Sequence, residues 1–509
     1  MHSAQKENGR AEDACKIKQK TAGPRLSRER LFDKLFINGA LRAFLHAQKQ
    51  QENKFAGGRE LRKTFRGGVH PDDAKALSRD AALREYLPKG ECVYPLAQHI
   101  GKPAKAVVKK NDPVLVGQVI AEADGFVSAN IIASCSGKVK AVEKRRTISG
   151  AMQECIVVEN DGLFTETEGF GERRDISAVT KEEILGAVKA AGIIGLGGAG
   201  FPTHVKLAPK DPGAIRYVIA NGAECEPYLT GNDQLMRAEA DAITEGMEIV
   251  LKLFPEAKGV IAIEKNKPEA IAAMEAACAG KENVSVLALP TKYPQGGERS
   301  LIDVVAGKDF PITALPADAG CIVDNVGTIY AIQRAVCYGE PLFKHVLTLT
   351  GEAVATPANF IVRDGTLVTE LIEECGGIKE GLELKKALAG GPMMGFALTS
   401  LEVPVVKTTN GITLLPNDAV AEADEMMTAC LHCGRCTTVC PQGLLPQIMA
   451  EAVDMGDFER YEKKLYGLDC IACGCCTYVC PAKRPLTQIF KHTKAEIMAK
   501  KRAAAGGKK

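Results

Sequence analysis

The pattern of apolar and polar positions divides the chain into four structured regions. Residues 64–150 alternate apolar and polar side chains between Asn-Asp-Pro and Ser-Gly turns, which predicts short β-strands. Residues 180–345 alternate helical stretches with the strands RYVIANG, GVIAIEK and VSVLAL, which predicts an α/β domain with a largely parallel sheet. Residues 345–377 place strands around one short helix, as in a β-grasp module. The pattern turns helical after Asp424.

The helical region contains two nearly identical cysteine runs, CLHCGRCTTVCP from Cys430 and CIACGCCTYVCP from Cys470. Each has the spacing C-x2-C-x2-C-x3-C-P, in which three cysteines hold one 4Fe–4S cluster and the fourth holds the cluster of the other run. The spacing therefore predicts one cluster on Cys430, Cys433, Cys436 and Cys480, and a second on Cys470, Cys473, Cys476 and Cys440.

Zinc and disulfides are the alternative uses of these cysteines. Zinc prefers two separated C-x2-C pairs, whereas these runs are triplets with a distant fourth ligand. Cys475 has no role in the spacing and is interpreted as a buried spectator thiol. The remaining cysteines are scattered without a framework, which favours a reducing cytoplasm.

Charge and hydropathy add information mainly about the two ends of the chain. Residues 1–66 hold 16 Lys and Arg against 7 Asp and Glu, and residues 484–509 hold 8 against 1. These basic ends could touch anionic lipid or an acidic partner, or be solvated tails. Leu31–Gln48 predicts an amphipathic helix, for a membrane surface or another subunit, unless it is a non-native leader. Neither a transmembrane run nor a secretory signal is recognised, and no nucleic-acid partner is predicted.

The β-rich region resembles the flattened barrel of biotinyl and lipoyl carriers, including the step VGQVIAE. Those carriers present a modified lysine on a hairpin tip. The corresponding tip here, AEADGFVSAN, contains no lysine. A docking role is therefore expected for this region instead of a carrier role.

A glycine-rich stretch, GLGGAGFPTHVKL, follows the first helix of the α/β region. Gly195, Gly197 and Gly200 fit G-x-G-x-x-G, but the usual dinucleotide fold needs a strand directly before the loop, and a helix precedes it here. The glycines still allow a flat or phosphorylated ligand to approach the backbone. Phe201 and Lys206 follow as a loop aromatic and a candidate phosphate partner.

Further polar turns follow the strands of the same region. They are NGAECEPYLTGND at 221–233, YPQGGERSL at 293–301 and CIVDNVGT at 321–328. The carboxyl ends of strands are where α/β sheets bind ligands. Polar turns at successive strand ends, together with the glycine-rich stretch, therefore predict one binding site.

These motifs together resemble the C subunit of the Rnf-type ion-translocating ferredoxin:NAD oxidoreductase complex over residues 64–495. The α/β region is similar to the flavoprotein subunit of respiratory complex I. The family's NNVET reads DNVGT here and its GEE reads GGE. Asp324 and Gly297 therefore depart from the family pattern, whereas Asn325 and Glu298 match it. The resemblance implies non-covalent FMN and NADH, with binding residues Gly195, Gly197, Gly198, Gly200, Phe201, Lys206, Asn221, Glu224, Glu226, Glu298, Asn325 and Thr328. Among these, Phe201 corresponds to the aromatic that stacks on nicotinamide, and Glu226 either meets ribose hydroxyls or closes the turn with Pro227.

The fold class expected is a multidomain α/β and α+β chain. Its predicted parts are a basic, flexible extension at 1–63, a biotinyl/lipoyl-like β barrel-sandwich at 64–175, an FMN/NADH-binding α/β domain at 176–343, a β-grasp (SLBB-like) module at 344–395, a helical two-cluster domain at 396–495 and a basic disordered tail at 496–509.

The function expected is electron transfer between a two-electron and a one-electron carrier. Nicotinamide exchanges hydride, clusters accept single electrons, and a flavin does both. The resemblance implies a peripheral redox subunit on the cytoplasmic face of the membrane. Its expected partners are membrane subunits and a ferredoxin or cluster-carrying subunit, and no catalytic acid or base is proposed. The alternatives are a cobalamin reductase with the same domain set and a relay subunit that has lost its flavin.

Overall fold

The computed structural model describes residues 64–169, 171–307, 310 and 314–506. The predicted extension at 1–63, with its amphipathic helix at Leu31–Gln48, lies outside the described residues, as do residues 507–509. Within the described ranges, no helix combines the length and the apolar character that crossing a bilayer requires.

The first domain is the predicted barrel-sandwich. Its strands pair antiparallel in two small sheets, β2-β8-β7-β4 and β3-β5-β6, around a core that includes Tyr94, Ile120 and Ile156. The tip between β5 and β6 presents Phe126, which is 81% exposed. The strands of these two sheets are β2 (Cys92–Pro95), β3 (Lys105–Ala106), β4 (Pro113–Val114), β5 (Val119–Glu122), β6 (Ile131–Ile132), β7 (Gly137–Arg146) and β8 (Met152–Asn160). Strand β1 (Leu83–Tyr86) precedes them and belongs to the sheet of the β-grasp module.

The second domain is the predicted α/β unit with a fully parallel sheet in the order β11-β10-β9-β12. Helices cover both faces, because Val218 and Ala220 point into one core and Ile219 into the other. The strands are β9 (Tyr217–Gly222), β10 (Lys258–Glu264), β11 (Val284–Leu289) and β12 (Cys321–Asn325). The helices are α1 (Lys181–Ala190), α2 (Thr203–Lys206), α3 (Gly231–Ala238), α4 (Ala240–Leu253), α5 (Pro268–Ala277), α6 (Glu298–Ala306) and α7 (Val326–Tyr338).

Helix α1 begins at a capping box. The Thr180 hydroxyl accepts from the amide of Glu183 (3.2 Å), and the Glu183 carboxylate accepts from the amide of Thr180 (2.8 Å). The box satisfies amides that the first helical turn leaves unpaired. It fixes the helix that leads into the glycine-rich loop.

The β-grasp module is larger than the sequence predicts. It comprises β13 (Lys344–Thr350), β14 (Ala358–Arg363), α8 (Val368–Glu374), β15 (Lys386–Ala389), β16 (Phe396–Ala397) and β17 (Gly411–Leu415), in the sheet order β1-β14-β13-β17-β15-β16. Strand β17 lies between β13 and β15, so the sheet continues to Leu415, beyond the predicted boundary at residue 395. Long-range pairing places this short apolar strand, and no local pattern shows it.

The last domain is helical, as predicted. Its helices are α9 (Ala419–Glu425), α10 (Arg435–Thr438), α11 (Pro446–Asp454), α12 (Phe458–Lys463), α13 (Cys475–Tyr478) and α14 (Leu486–Gly506). Helix α14 contradicts the predicted disordered tail over residues 496–506. Ile497 is buried in the domain core, and Lys500 pairs with Glu496 one turn away (2.7 Å), so this basic segment has packing that keeps it helical.

Candidate functional site

The glycine-rich loop between α1 and α2 is closed at its base by backbone pairing and is open at its tip. Ile194 and Pro202 pair across its base, and the amide of Gly195 donates to the carbonyl of Phe201 (2.8 Å). Gly197 and Gly200 have φ of +70° and +69°, a conformation that side chains disfavour. A Cβ atom built on Gly198 meets no atom within 4 Å. The tip therefore offers bare backbone to a ligand.

The loop lies over the N-terminus of the thirteen-residue helix α7. The amide of Leu196 donates to the Thr328 hydroxyl (2.9 Å), and the Asn325 side chain caps the helix by accepting from the amide of Gly327 (2.8 Å). A Cβ on Gly197 would come within 3.0 Å of the Asn325 amide nitrogen. The positive end of a helix dipole is thus placed beneath backbone that can approach an anion.

Lys206 lies behind the loop, in contact with the end of strand β12. Its ammonium donates to the carbonyl of Val323 (2.7 Å) and to the fully buried Asp324 carboxylate (3.0 Å). Burial lowers the pKa of Lys206, but Asp324 and Glu298 outweigh it and the net shift is upward. Because its pKa is raised, Lys206 keeps its positive charge beside the loop. The second carboxylate oxygen of Asp324 has no hydrogen-bond partner among the described residues.

Asn221 lies beside Asn325 because strands β9 and β12 are parallel neighbours in register. Its side chain donates to the carbonyl of Gly296 (2.9 Å), which holds the turn that leads into Glu298. Glu298 begins helix α6 and is accessible to solvent, yet the protein around it is dense enough to raise the pKa of its carboxyl. The strand ends thus bring two amides, a lysine and a carboxylate to one edge of the sheet.

The other two predicted carboxylates accept from backbone amides. Glu224 accepts from Asn232 (2.6 Å) and Asp233 (3.3 Å) at the start of α3. Burial raises its pKa, while Lys75 and Lys267 oppose that shift.

The contacts of Glu226 match neither of its two predicted roles. Its carboxylate accepts from the amides of Met393 (2.6 Å) and Met394 (3.1 Å) in the β-grasp module. These bonds join two modules, so both the closing of the turn with Pro227 and the contact with ribose stay predictions.

Residues from two other domains reach the loop, and the sequence analysis missed them. The amide of Ile100 in the barrel domain donates to the carbonyl of Gly200 (3.3 Å). A Cβ on Gly200 would lie 2.9 Å from Thr408, and one on Gly197 would lie 3.9 Å from Asn410. None of these residues belongs to a motif, so no local signal could have identified them.

The predicted loop and strand-end residues fit FMN. Bare backbone at Gly198, the N-terminus of α7 and the cation of Lys206 match the flat ring and the phosphate of that cofactor. Phe201 lies half-buried at the end of the loop. The structure therefore brings Gly195, Gly197, Gly198, Gly200, Phe201, Lys206, Asn221, Glu298, Asn325 and Thr328 to one region.

The second cysteine run lines a small cavity. Cys440, Cys470, Cys473 and Cys476 all face it, as the predicted ligand set requires. The amides of Ala472 and Leu444 donate to the sulfurs of Cys470 (3.4 Å) and Cys440 (3.3 Å). Amide bonds to sulfur are typical of cluster ligands and help to set the cluster potential.

The first run repeats the same backbone. His432 and Ala472 both adopt positive φ (51° and 53°), and so do Gly434 and Gly474. The amide of His432 donates to the sulfur of Cys430 (3.4 Å), the counterpart of the bond at Cys470. Cys436 is buried, whereas Cys430 and Cys480 are half-buried and Cys433 is exposed. No disulfide joins cysteines within the part of the chain that the structure describes.

The cysteines of the second run line one cavity. Across the described ranges, no three His, Cys, Asp or Glu side chains converge on a point that could hold one metal ion. A cubane binds its four thiolates through four different irons, so its ligands surround a volume instead of meeting at a point. The ninth cysteine, Cys475, is fully buried against Tyr293 and also lines this cavity, so its role as a spectator stays a prediction.

Four protein families match successive parts of the chain. Residues 63–163 match the RnfC barrel sandwich hybrid domain, and residues 188–334 match the Nuo51 FMN-binding domain. Residues 346–397 match the SLBB domain, and residues 425–481 match the 4Fe–4S dicluster domain. The predicted fold class is confirmed by these matches.

Relatives from bacteria match most of the chain. The C subunit of the proton-translocating ferredoxin:NAD(+) oxidoreductase complex of Clostridium ljungdahlii is 44% identical over 86% of this chain and 94% of its own length. The C subunit of the Na(+)-translocating complex of Acetobacterium woodii is 41% identical over 86% of this chain and 98% of its own. The C subunit of the ion-translocating oxidoreductase complex of Rhodobacter capsulatus is 42% identical over 85% and 83%.

Solved structures similar to the chain include an NAD+-reducing [NiFe]-hydrogenase in the H2-reduced state. That similarity has a TM-score of 0.44 and 19% identity, and it covers 67% of this chain and 72% of the other.

Proposed function

Because this chain belongs to the family of C subunits of ion-translocating ferredoxin:NAD(+) oxidoreductase complexes, we propose how its residues serve electron transfer. The chain is a redox subunit of such a complex, with an FMN domain, two 4Fe–4S clusters and NAD as its substrate. The α/β domain, residues 176–343, is called the flavin domain from here on. None of the relatives named above is a cobalamin reductase, so that alternative has no support.

The observation that carries the proposal is that one domain contacts both kinds of site. The flavin domain holds the glycine-rich loop over α7, and its Tyr293 donates a hydrogen bond to the carbonyl of the cluster ligand Cys473 (2.7 Å). When bound, FMN exchanges hydride with nicotinamide and single electrons with iron–sulfur clusters. This arrangement is therefore suited to a flavin that passes electrons between nicotinamide and the clusters.

Each group of residues in the flavin site has a separate task in this proposal. The loop glycines and Thr328 hold the cofactor close to backbone, while Lys206 and the N-terminus of α7 supply positive charge for its phosphate. Asn221 and Asn325 lie side by side at the strand ends and hold the turn at Gly296 and the start of α7 beneath it. Hydride transfer needs no general acid, and burial lowers the pKa of His204, the nearby imidazole, so that it stays neutral.

Replacing Phe201 by alanine is expected to leave FMN bound and to weaken reduction by NADH. The aromatic ring follows the loop and is proposed to stack on nicotinamide. Its loss should therefore disturb the orientation of NADH and leave the contacts with FMN intact. The rate of flavin bleaching at limiting NADH should fall about tenfold or more. Phe126→Ala, at the exposed tip of the barrel, is the control and should match the wild type. A Phe201→Ala variant with an unchanged NADH dependence would contradict the role of this ring.

The two clusters differ in their access to partners. The ligands of the second run face a cavity beside the flavin domain, whereas Cys433 of the first run is exposed. Exposed apolar side chains lie next to the cysteine runs in sequence: Met426 (57%), Met427 (48%), Leu431 (62%) and Tyr478 (54%). We call these four residues the apolar patch. Exposed apolar patches mark interaction sites, so the patch is proposed as the docking surface for a ferredoxin or a cluster-carrying subunit.

Replacing Leu431 by glutamate should slow electron exchange with such a partner. A charge in a desolvated contact is costly, so the rate of cluster reduction by a chemically reduced two-cluster ferredoxin should fall about fivefold or more. Reduction of the flavin by NADH should stay unchanged. Met455→Glu is the matched control, because Met455 is equally exposed on the same domain but distant from the cysteine runs in sequence (67%). Equal rates for both variants would show that the ferredoxin docks elsewhere.

The remaining partners follow from the complex to which the relatives belong. We propose that the chain is a peripheral subunit, held on the cytoplasmic face of the membrane by membrane subunits of the same complex. In support, no membrane-crossing helix is found among the described residues, and the relatives named above are subunits of ion-translocating complexes.

A further inference from the structure

The flavin domain meets the second cysteine run around one buried side chain, Tyr293. Its side chain is 2% exposed, and its hydroxyl donates to the carbonyl oxygen of Cys473 at 2.7 Å. We call residues 470–476 the ligand loop, since three of the predicted ligands of one cluster lie in it. A flavin-domain side chain is therefore hydrogen-bonded to the backbone of a cluster ligand.

The backbone of Tyr293 is itself held on both sides. Its amide donates to Val69 (2.9 Å) and its carbonyl accepts from Val69 (2.8 Å), in an antiparallel bridge. The preceding Gly68 donates to the carbonyl of Val439 (2.8 Å), next to the ligand Cys440. A Cβ on Gly67 would lie only 2.7 Å from the carbonyl oxygen of Cys440. The segment before the barrel thus packs tightly on the cluster domain and fixes the direction of the Tyr293 hydroxyl.

The same turn reaches the proposed flavin site. Three residues after Tyr293, the carbonyl of Gly296 accepts from Asn221, and the amide of Gly296 donates to the sulfur of Cys225 (3.3 Å). Residues 293–296 therefore connect the side chain of Asn221, a proposed FMN-binding residue, with the hydrogen bond from Tyr293 to Cys473. Movement of the ligand loop relative to the flavin would have to break or stretch the Tyr293 bond.

We propose that Tyr293 is a positioning residue for electron passage between the flavin and the cluster of Cys440, Cys470, Cys473 and Cys476. Its hydroxyl holds the ligand loop at a fixed separation from the flavin domain, and the positive end of its O–H dipole, directed at that loop, favours the more negative, reduced cluster. One electron leaves the reduced flavin and one arrives at the cluster, while Tyr293 is neither oxidised nor deprotonated. The inference rests on the proposed function, because it assumes that both groups are bound.

Tyr293→Phe tests this inference, because it keeps the ring and removes only the hydroxyl. Iron and FMN contents should equal those of the wild type. In a redox titration with a chemical reductant, followed by electron paramagnetic resonance, the reduced-to-oxidised ratio of one cluster at a fixed potential should fall about two- to tenfold. Amide hydrogen exchange of residues 470–476 should become faster. After NADH is mixed in, cluster bleaching should lag further behind flavin bleaching.

Tyr94→Phe is the matched control. Tyr94 is also fully buried, and its hydroxyl is hydrogen-bonded to the Ser134 hydroxyl in the core of the barrel domain (2.8 Å). This variant should leave the titration and the lag unchanged. If Tyr293→Phe changes neither the titration nor the exchange, or if it only loses iron, the inference is wrong. If NADH fails to reduce the flavin of the wild type, the proposed function fails, while the titration still tests Tyr293 separately.

Discussion

Replacing Cys433 by alanine should remove one cluster and leave the other. The wild type, purified without oxygen, should hold about eight irons and eight sulfides, and the variant about four of each. The loss should be confined because the two ligand sets share no cysteine, and the cavity of Cys440, Cys470, Cys473 and Cys476 contains no part of the first run before Cys440. Iron and sulfide analysis, with the brown absorbance of the clusters, measures the outcome.

Cys475→Ala is the matched control for this loss. Cys475 lies in the same region and is fully buried, but the spacing gives it no cluster, so its variant should keep about eight irons. Eight irons in Cys433→Ala, or zinc at one or two per chain in the colourless wild type, would refute the assignment of ligands. Loss of iron in Cys475→Ala would show that the ninth cysteine is a ligand.

Replacing Gly198 by valine should abolish FMN binding without unfolding the chain. A side chain at this position meets no protein atom within 4 Å, and the residue is not in the left-handed region, so the free energy of unfolding should change by less than about 1 kcal/mol. The branched carbons would occupy the space where the flavin is proposed to lie. The affinity for FMN should fall about 100-fold or more, measured by quenching of flavin fluorescence.

Gly186→Val is the control, since Gly186 lies in the neighbouring helix α1 and its Cβ would also meet no atom within 4 Å. This variant tests whether a bulky residue in the same domain is enough to reduce binding. FMN bound equally well by Gly198→Val would place the cofactor away from the loop tip. Melting temperatures of both variants distinguish cofactor loss from misfolding.

The features that the sequence could predict are those determined by short, local stretches of residues. The cysteine spacing, the glycines of the loop and the alternation of helices and strands are local, and the structure places these elements where the sequence predicts them. Asn221 and Asn325 belong to separate motifs, yet the rule that parallel strands end at one edge was enough to bring them together. The matching families confirm the resulting fold class.

Features that depend on contacts between domains could not be predicted. Strand β17 joins its sheet by pairing with strands far away in sequence, so no local pattern shows that the sheet extends beyond residue 395. The carboxylate of Glu226 contacts Met393, and the hydroxyl of Tyr293 contacts Cys473, although no motif links either pair. The last part of helix α14, residues 496–506, was missed because its basic composition resembles a tail, while Ile497 and the pair Glu496–Lys500 stabilise it.

The most direct test of the central claim is anaerobic stopped-flow mixing of the flavin- and iron-replete chain with NADH. The claim is that one chain takes electron pairs from nicotinamide at the flavin domain and passes single electrons to its clusters. Absorbance of the flavin should therefore bleach first, with a rate that rises with NADH concentration, and cluster absorbance should bleach in a slower second phase. If NADH bleaches neither band while a chemical reductant bleaches both, the assignment of NADH to this chain is contradicted.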